Sequence, residues 1–485
     1  MTIACRKPGW LALLMFPALW MTTIAAAEAA MPPAGAAEAL ARGRAQDLIV
    51  EFDGSSVDRE ADTIRQQRGQ RHEGPDALQL RQTRYRQIKN RVRAALPAGA
   101  HETLGDYEAM PMALIRVRSS QALDALAAHR DVVGIYRDEP KYPVLKLTPQ
   151  LDTQSKTLVG QPVAAAAGLT GAGTTVVVVD SGANYTVADL GPCSAVATPA
   201  ATCRIQHSLY VNPANQVVGD PTAVTSASNN HGTNVASIVA GIATGTRISV
   251  VNVVGTTGTT SDSKVLAAIN WSILNRAAYN IRAINLSLGD SVSHTTACTS
   301  GNPYLSAFAS ARTAGIVPVA ASGNNGYKTG INSPACTPGA VSVGAVWAAN
   351  YGSQTWYGCT DTTTGPDKVA CFSNSASFLT ALAPGAIITA GGLSYLGTSQ
   401  ASPFVAATIA LLASAYPDET TADWLAHLAS ESKAVTDNYN AQTTARVDLA
   451  AIANAVEEAN EAKVPLPPWA AVLLAGLLLT AMRRR

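Results

Sequence analysis

Three short segments, far apart along the chain, hold a carboxylate, an imidazole and a hydroxyl in contexts that suit acyl transfer. They are Val-Asp-Ser-Gly at Val179 to Gly182, Asn-His-Gly-Thr at Asn230 to Thr233, and Gly-Thr-Ser-Gln-Ala-Ser-Pro at Gly397 to Pro403. A serine hydroxyl is a weak nucleophile at neutral pH, so it needs an imidazole to take its proton and an anion to orient that imidazole. Asp180, His231 and Ser399 supply those parts. Each also has an ordinary reading. Asp-Ser-Gly is a common turn, a histidine at a helix start is usually a cap or surface group, and Thr398, Ser399 or Ser402 would serve as an N-cap. Only their joint occurrence favours chemistry. An esterase of the α/β-hydrolase type would instead carry Gly-x-Ser-x-Gly, followed by the acid and then the histidine.

The order Asp, His, Ser is one of three unrelated chain orders that reach one triad geometry. With a fourth motif, Ala-Ser-Gly-Asn-Asn-Gly at Ala321 to Gly326, the stretch from about Gly171 to about Ala415 resembles the subtilisin-like serine proteases. The resemblance implies that Asp180 orients His231, that His231 takes the proton of Ser399, and that the Asn324 side-chain amide and the Ser399 backbone N–H hold the oxyanion. It also implies that Ser287, Leu288 and Gly289, with Ala321, Ser322 and Gly323, wall the pocket for the residue before the cleaved bond. The first of these segments would also pair with the substrate backbone as an added strand. No acid lies in either segment, so the expected preference at that residue is broad and mildly apolar, not Lys or Arg. Two positions depart from the family pattern: Asn234 stands where a second histidine is usual, and Gln400 where methionine is usual. A buried amide in place of a thioether is destabilising unless it finds partners. A weakened relic that binds peptides is therefore the alternative to an endopeptidase. The chemistry requires no cofactor. Structural calcium is not legible, because its ligands come from variable loops and backbone carbonyls.

These residues need a scaffold. From Thr174 on, apolar runs alternate with helical patterns: strand Thr175 to Val179, helix Asn230 to Ala243, strand Ile248 to Val253, helix Ser263 to Tyr279 and strand Arg282 to Leu288. Helix Ser306 to Ala314, strands Ile316 to Ala321 and Ala340 to Val346, and a long helix Thr398 to Tyr416 follow. Such alternation predicts an α/β fold, a doubly wound, mostly parallel sheet with helices on both faces. Asp180, after four valines, falls at the carboxyl end of a strand, where open α/β sheets keep their clefts. Before this region, strand Asp47 to Phe52, one or two helices in Asp58 to Ala95, strand Met112 to Val117, helix Ser120 to His129 and strand Val132 to Tyr136 predict a small α+β module. In that position it resembles the family's propeptide, a folding chaperone and intramolecular inhibitor, to be cut somewhere in Tyr142 to Thr157. An unrelated adaptor domain is the other reading.

The 485 residues are 47% hydrophobic and 14% charged with a net charge of +1, so no basic excess points to nucleic acid. Arg6 and Lys7, an apolar run from Trp10 to Ile24 and Ala25 to Ala27 read as a secretory signal cut near Ala27, and hence as export. A retained anchor is less favoured, because the run is short and Pro17 interrupts it. Outside that signal, with its Cys5, six cysteines remain: Cys193, Cys203, Cys298, Cys336, Cys359 and Cys371. Their even number suits an oxidising compartment, and short loops favour pairing Cys193 with Cys203 and Cys359 with Cys371, which leaves Cys298 with Cys336. No metal site is expected, since no Cys-x-x-Cys occurs and His207 and His294 lack the regular spacing of zinc ligands. At the other end, Val464 to Trp469, an apolar run to Met482 and Arg483 to Arg485 resemble a bacterial sorting segment, able to anchor the protein or to be removed. The division expected is signal peptide 1–27, linker 28–46, α+β module 47–145, catalytic domain 146–455, and linker with apolar segment 456–485.

Overall fold

The computed structural model describes residues 30–142, 146–147, 153–191, 193, 202–220, 230–254, 258–356 and 358–463. The chain opens with α1 (Ala36–Ala41), β1 (Gln46–Phe52), α2 (Ser55–Gln67), α3 (Pro75–Ala95), β2 (His101–Tyr107), β3 (Met112–Val117), α4 (Ser120–Ala128) and β4 (Val132–Arg137). Local chemistry marks these boundaries: Pro75 sits at the start of α3, and the Ser119 hydroxyl oxygen accepts from the Ala122 amide to cap α4. The strands form one antiparallel sheet, ordered β2-β3-β1-β4. Alternation along β3 splits its residues. Ala113, Ile115 and Val117 join Val50, Val92 and Leu123 in the core under the module's own helices. Met112 and Leu114 lie on the other face, with Ile49, in a core shared with the rest of the chain.

The second part comprises β5 (Pro140–Lys141), β6 (Lys146–Leu147), α5 (Thr153–Leu158), α6 (Gln161–Ala166), β7 (Thr175–Asp180), β8 (Ile205–Val211), β9 (Val217–Gly219), α7 (Asn230–Ile242), β10 (Arg247–Asn252), β11 (Thr260–Ser261), α8 (Asp262–Leu274), α9 (Arg276–Tyr279) and β12 (Ile281–Leu286). It continues through α10 (Tyr304–Thr313), β13 (Val317–Ala321), β14 (Val341–Trp347), β15 (Gln354–Trp356), β16 (Cys359–Asp361), β17 (Ala381–Ala386), β18 (Ile388–Ala390), β19 (Leu393–Tyr395), α11 (Thr398–Ala415), α12 (Thr421–Ser430), β20 (Ser432–Thr436), β21 (Thr443–Val447) and α13 (Leu449–Lys463). A ten-stranded sheet runs β20-β21-β17-β14-β13-β12-β7-β10-β8-β9, parallel from β21 through β8 with antiparallel strands only at its two edges.

The valine run of β7 explains how the layers form. Val176 and Val178 face a core built with α7 and α11, while Val177 and Val179 face a core built with α8 and α10. A central parallel strand is covered on both sides and so reads as continuously apolar. The expected doubly wound, mostly parallel sheet with helices on both faces is present.

Some expectations need correction. The stretch 28–46 is no plain linker, for α1 lies in it and Ala36 and Leu40 are buried in the module's core. Its alanines pack where a spacer's would be solvated. Strand β2 was not expected, because its edge position leaves it few apolar residues. The segment from 263 to 279 is two helices, α8 and α9, broken at Asn275. All three cysteine pairs are disulfide-bonded as the loop lengths suggested: Cys193–Cys203, Cys298–Cys336 and Cys359–Cys371. The expected signal peptide and the C-terminal apolar segment lie outside the described residues. Among those described, no helix is long and apolar enough to cross a membrane.

Candidate active site

The strand order places a cleft where it is needed. Along the sheet, β10 and β12 flank β7, so connections leave it in opposite directions, and the carboxyl ends there form a switch-point crevice. Asp180 ends β7, Ser287 follows β12, and Asn324 follows β13. Asp180 is 1% exposed and accepts hydrogen bonds from the Ser181 amide at 2.7 Å and from His231 Nδ1 at 2.8 Å. A carboxylate without a proton only accepts, so Nδ1 carries the hydrogen and Nε2 keeps its lone pair. That Nε2 is buried and has no partner. Gly232 makes the approach possible: a Cβ there would sit 2.0 Å from the Gly182 carbonyl oxygen and 3.1 Å from Asp180 Oδ1. Tyr395 stands edge-on to the imidazole at 5.6 Å. Burial and then the Asp180 charge push its phenol up to about 12, so it stays neutral near pH 7.

Ser399 lies in the first turn of α11 and is fully buried. Its hydroxyl donates to the Ser287 carbonyl at 3.1 Å and not to His231. Pro403, four residues on, has no N–H to offer the Ser399 carbonyl, and the Ser287 hydroxyl donates to it instead at 2.7 Å. The helix start is thus bonded to the end of β12, and Ser402 adds a bond to Asn285 at 2.7 Å. Asn324 is held through its oxygen, which accepts from the Thr398 amide at 2.8 Å and the Thr398 hydroxyl at 3.0 Å. Its Nδ2 is buried without a partner. Gly323 before it has φ 106°, and a Cβ would lie 1.7 Å from Asn332 Oδ1, so only glycine fits. His231 Nε2 and Asn324 Nδ2 are thus two buried polar atoms without hydrogen-bond partners.

The two departures from the family pattern bond to each other. Gln400 Nε2 donates to Asn234 Oδ1 at 3.2 Å, and Asn234 Nδ2 faces the carbonyls of Leu393 at 2.8 Å, Ala390 at 3.1 Å and Ile388 at 3.3 Å. The anticipated cost of a buried amide is thereby offset at one end, while Gln400 Oε1 stays unpartnered. The pair ties α7 and α11 to the β18–β19 hairpin that carries Tyr395.

The segments expected to wall the pocket differ in what they present. Ser287, Ala321, Ser322 and Gly323 lie at strand ends by the serine, and the Ser322 hydroxyl donates to the Asn374 carbonyl at 2.9 Å. Leu288 is 2% exposed with its side chain in the core under α8, which leaves its backbone as its contribution. Gly289 already pairs with a peptide. Tyr142 donates to the Gly289 carbonyl at 3.0 Å and accepts from its amide at 3.4 Å. On that peptide's other side, β5 pairs antiparallel with β11, Lys141 opposite Thr260. Beyond residues 143–145, β6 pairs antiparallel with β19.

Sequence reasoning missed Tyr395, Asp262 and the role of Lys141, which no local motif marks. One His/Cys grouping among the described residues is tight enough for a metal, His294 with Cys298 and Cys336, but both sulfurs are spent in a disulfide. Comparison with known proteins fits this geometry. The profile described as the subtilase family matches residues 171–449. Subtilisin of Bacillus pumilus is 32% identical over 234 residues, 44% of this chain and 75% of that protein. Subtilisin E of Bacillus subtilis is 31% identical over 234 residues, 44% of this chain and 54% of that protein. An extracellular serine proteinase of a Thermus species is 32% identical over 203 residues, 40% of this chain and 43% of that protein.

Proposed function

The chain belongs to the subtilase family and is a serine endopeptidase by that membership; from this premise we propose that Asp180, His231 and Ser399 are its triad and that it matures by cutting its own linker. The observation that carries the reading is that His231 Nε2, on a ring held by Asp180, and Asn324 Nδ2, on an amide held by Thr398, are both buried without a hydrogen-bond partner. In the reaction, Ser399 turns its hydroxyl from the Ser287 carbonyl to His231, gives up its proton and attacks the carbonyl carbon. The Asn324 amide then bonds the oxyanion, and the His231 proton passes to the leaving amine. Water, activated by the same nitrogen, frees the acyl group. Asp180 holds the imidazolium throughout.

The amino-terminal module is read as a propeptide that occupies the crevice. Tyr142 on one side pairs with Gly289, two residues past Ser287, whose carbonyl meets the Ser399 hydroxyl. We assign the cut to a bond between Tyr142 and Lys146, the residues that pair with Gly289 on one side and with Tyr395 on the other. The extracellular relatives and the three disulfides support export. A serine-directed fluorophosphonate should label purified wild-type protein at Ser399 and leave His231→Ala unlabelled. Equal labelling of the two would refute the assigned base.

A further inference from the structure

The linker shows more than where it is cut. Lys141 is 2% exposed, although a lysine is almost never fully buried unless paired. Its partner is Asp262, the first residue of α8, with Nζ to Oδ1 at 2.8 Å. Asp262 is itself 3% exposed, and the Tyr304 hydroxyl, also buried, donates to the same carboxylate oxygen at 2.7 Å. Lys141 comes from the segment before the cut, whereas Asp262 and Tyr304 belong to the family-matched body. An aspartate at a helix start has a bland explanation in the helix dipole, but the dipole asks for no ammonium to be buried beside it.

The backbone explains why this pair reads as substrate recognition. Lys141 pairs with Thr260 on one side while its neighbour Tyr142 pairs with Gly289 on the other, so the segment lies as a middle strand, the way a peptide adds to a sheet edge. Whatever peptide replaces the linker there must offer Asp262 a cation or leave a buried carboxylate without its counter-ion, held by the Tyr304 hydroxyl. Burial already raises the Asp262 carboxyl and the lysine opposes this, so the loss of its partner is costly.

We propose that Asp262, backed by Tyr304, is a specificity-determining residue that selects polypeptide substrates with a lysine or arginine at the position that pairs with Thr260, on the amino-terminal side of the cleaved bond. This rests on the endopeptidase reading and adds a basic requirement at a subsite away from the cut, while the residue at the cut stays mildly apolar.

The test uses enzyme prepared from the full-length precursor and two synthetic peptides spanning residues 137–149, one native and one with Lys141→Leu. Wild type should favour the native peptide in kcat/KM by about 10- to 100-fold, the range for a hydrogen bond to a charged group. An arginine peptide should behave as the lysine one does, and Asp262→Asn should bring the ratio close to one. Should that variant fail to fold, the wild-type ratio alone decides. Equal cleavage of both peptides by enzyme that labels with fluorophosphonate overturns the subsite and leaves the protease reading intact. Cleavage of neither overturns the subsite as well, and absence of labelling then shows that the catalytic reading has fallen with it.

Discussion

The module and the catalytic body are built on opposite plans. The body encloses its central strands on both faces, in two apolar cores that meet only across the sheet, and carries all three disulfides. The module has a core on one face alone, contains no cysteine, and lays the other face of its sheet on α8. That face meets the body through the apolar Ile49, Met112 and Leu114 and through polar contacts around them. The Tyr107 hydroxyl donates to the Ser263 carbonyl at 3.0 Å, Asn270 accepts from the Ala109 amide at 2.9 Å, and Asp138 accepts from the Ser263 amide at 2.7 Å. The body's stability is internal and covalently stapled, whereas the module's rests in part on the surface of the body.

The comparison is sharpened most by removing a staple. The Cys298–Cys336 bridge closes a loop of 38 residues, so replacing both cysteines with serine should destabilise the body by about 4 kcal/mol. Denaturant unfolding of processed enzyme measures it, and an unchanged midpoint would contradict the contrast drawn above. Next comes chemistry that belongs to the body alone. Asn324→Ala should lower kcat by about 10² to 10³-fold with little change in KM, a magnitude taken from a subtilisin itself. A change confined to KM would mean that Asn324 only positions substrate.

Asn234→Ala should have a smaller effect, about 1 to 3 kcal/mol, by stripping the donor from the Leu393, Ala390 and Ile388 carbonyls. Gln400→Met should be milder, since it also removes an unpartnered buried oxygen. Thermal unfolding of both variants orders them, and the reverse order would refute the amide pair as a tie between α7, α11 and the β18–β19 hairpin.

The weakest effect concerns the module's second foothold. His72, between α2 and α3, donates to the Glu419 carbonyl at 3.0 Å, beside Trp424 at 5.5 Å. Burial first, then Arg276, Arg282 and Arg65, lower its pKa to about 4. Docking therefore favours neutral His72. Its contribution is full above about pH 6.5 and is lost as pH falls from there toward about 4. Release of the cut module should accelerate between pH 7.5 and 5 in wild type and do so less in His72→Gln. Identical pH profiles would remove His72 from the account.

How far the sequence reaches follows from where the constraints act. The candidate catalytic residues stand out in the sequence because acyl transfer asks for particular residue types in fixed local settings, as beside Gly232, where the backbone approaches closely. The sheet was legible through Val176 to Val179, since burial on both faces leaves an unbroken apolar run. Features that depend on two distant surfaces meeting left no local trace. Lys141 reads as an ordinary surface lysine until Asp262 is seen beside it, and α1 reads as a spacer until Leu40 is found in a core. The Asn234–Gln400 bond appeared in the sequence only as two separate oddities.

The central claim is that the linker lies in the crevice as the enzyme's own first substrate, cut by Ser399. Intact mass and amino-terminal sequencing of purified wild type and Ser399→Ala test it most directly. The account predicts a wild-type catalytic chain that begins between positions 143 and 146 and a Ser399→Ala chain that keeps its module joined. Release of the module from Ser399→Ala at the wild-type rate would contradict it.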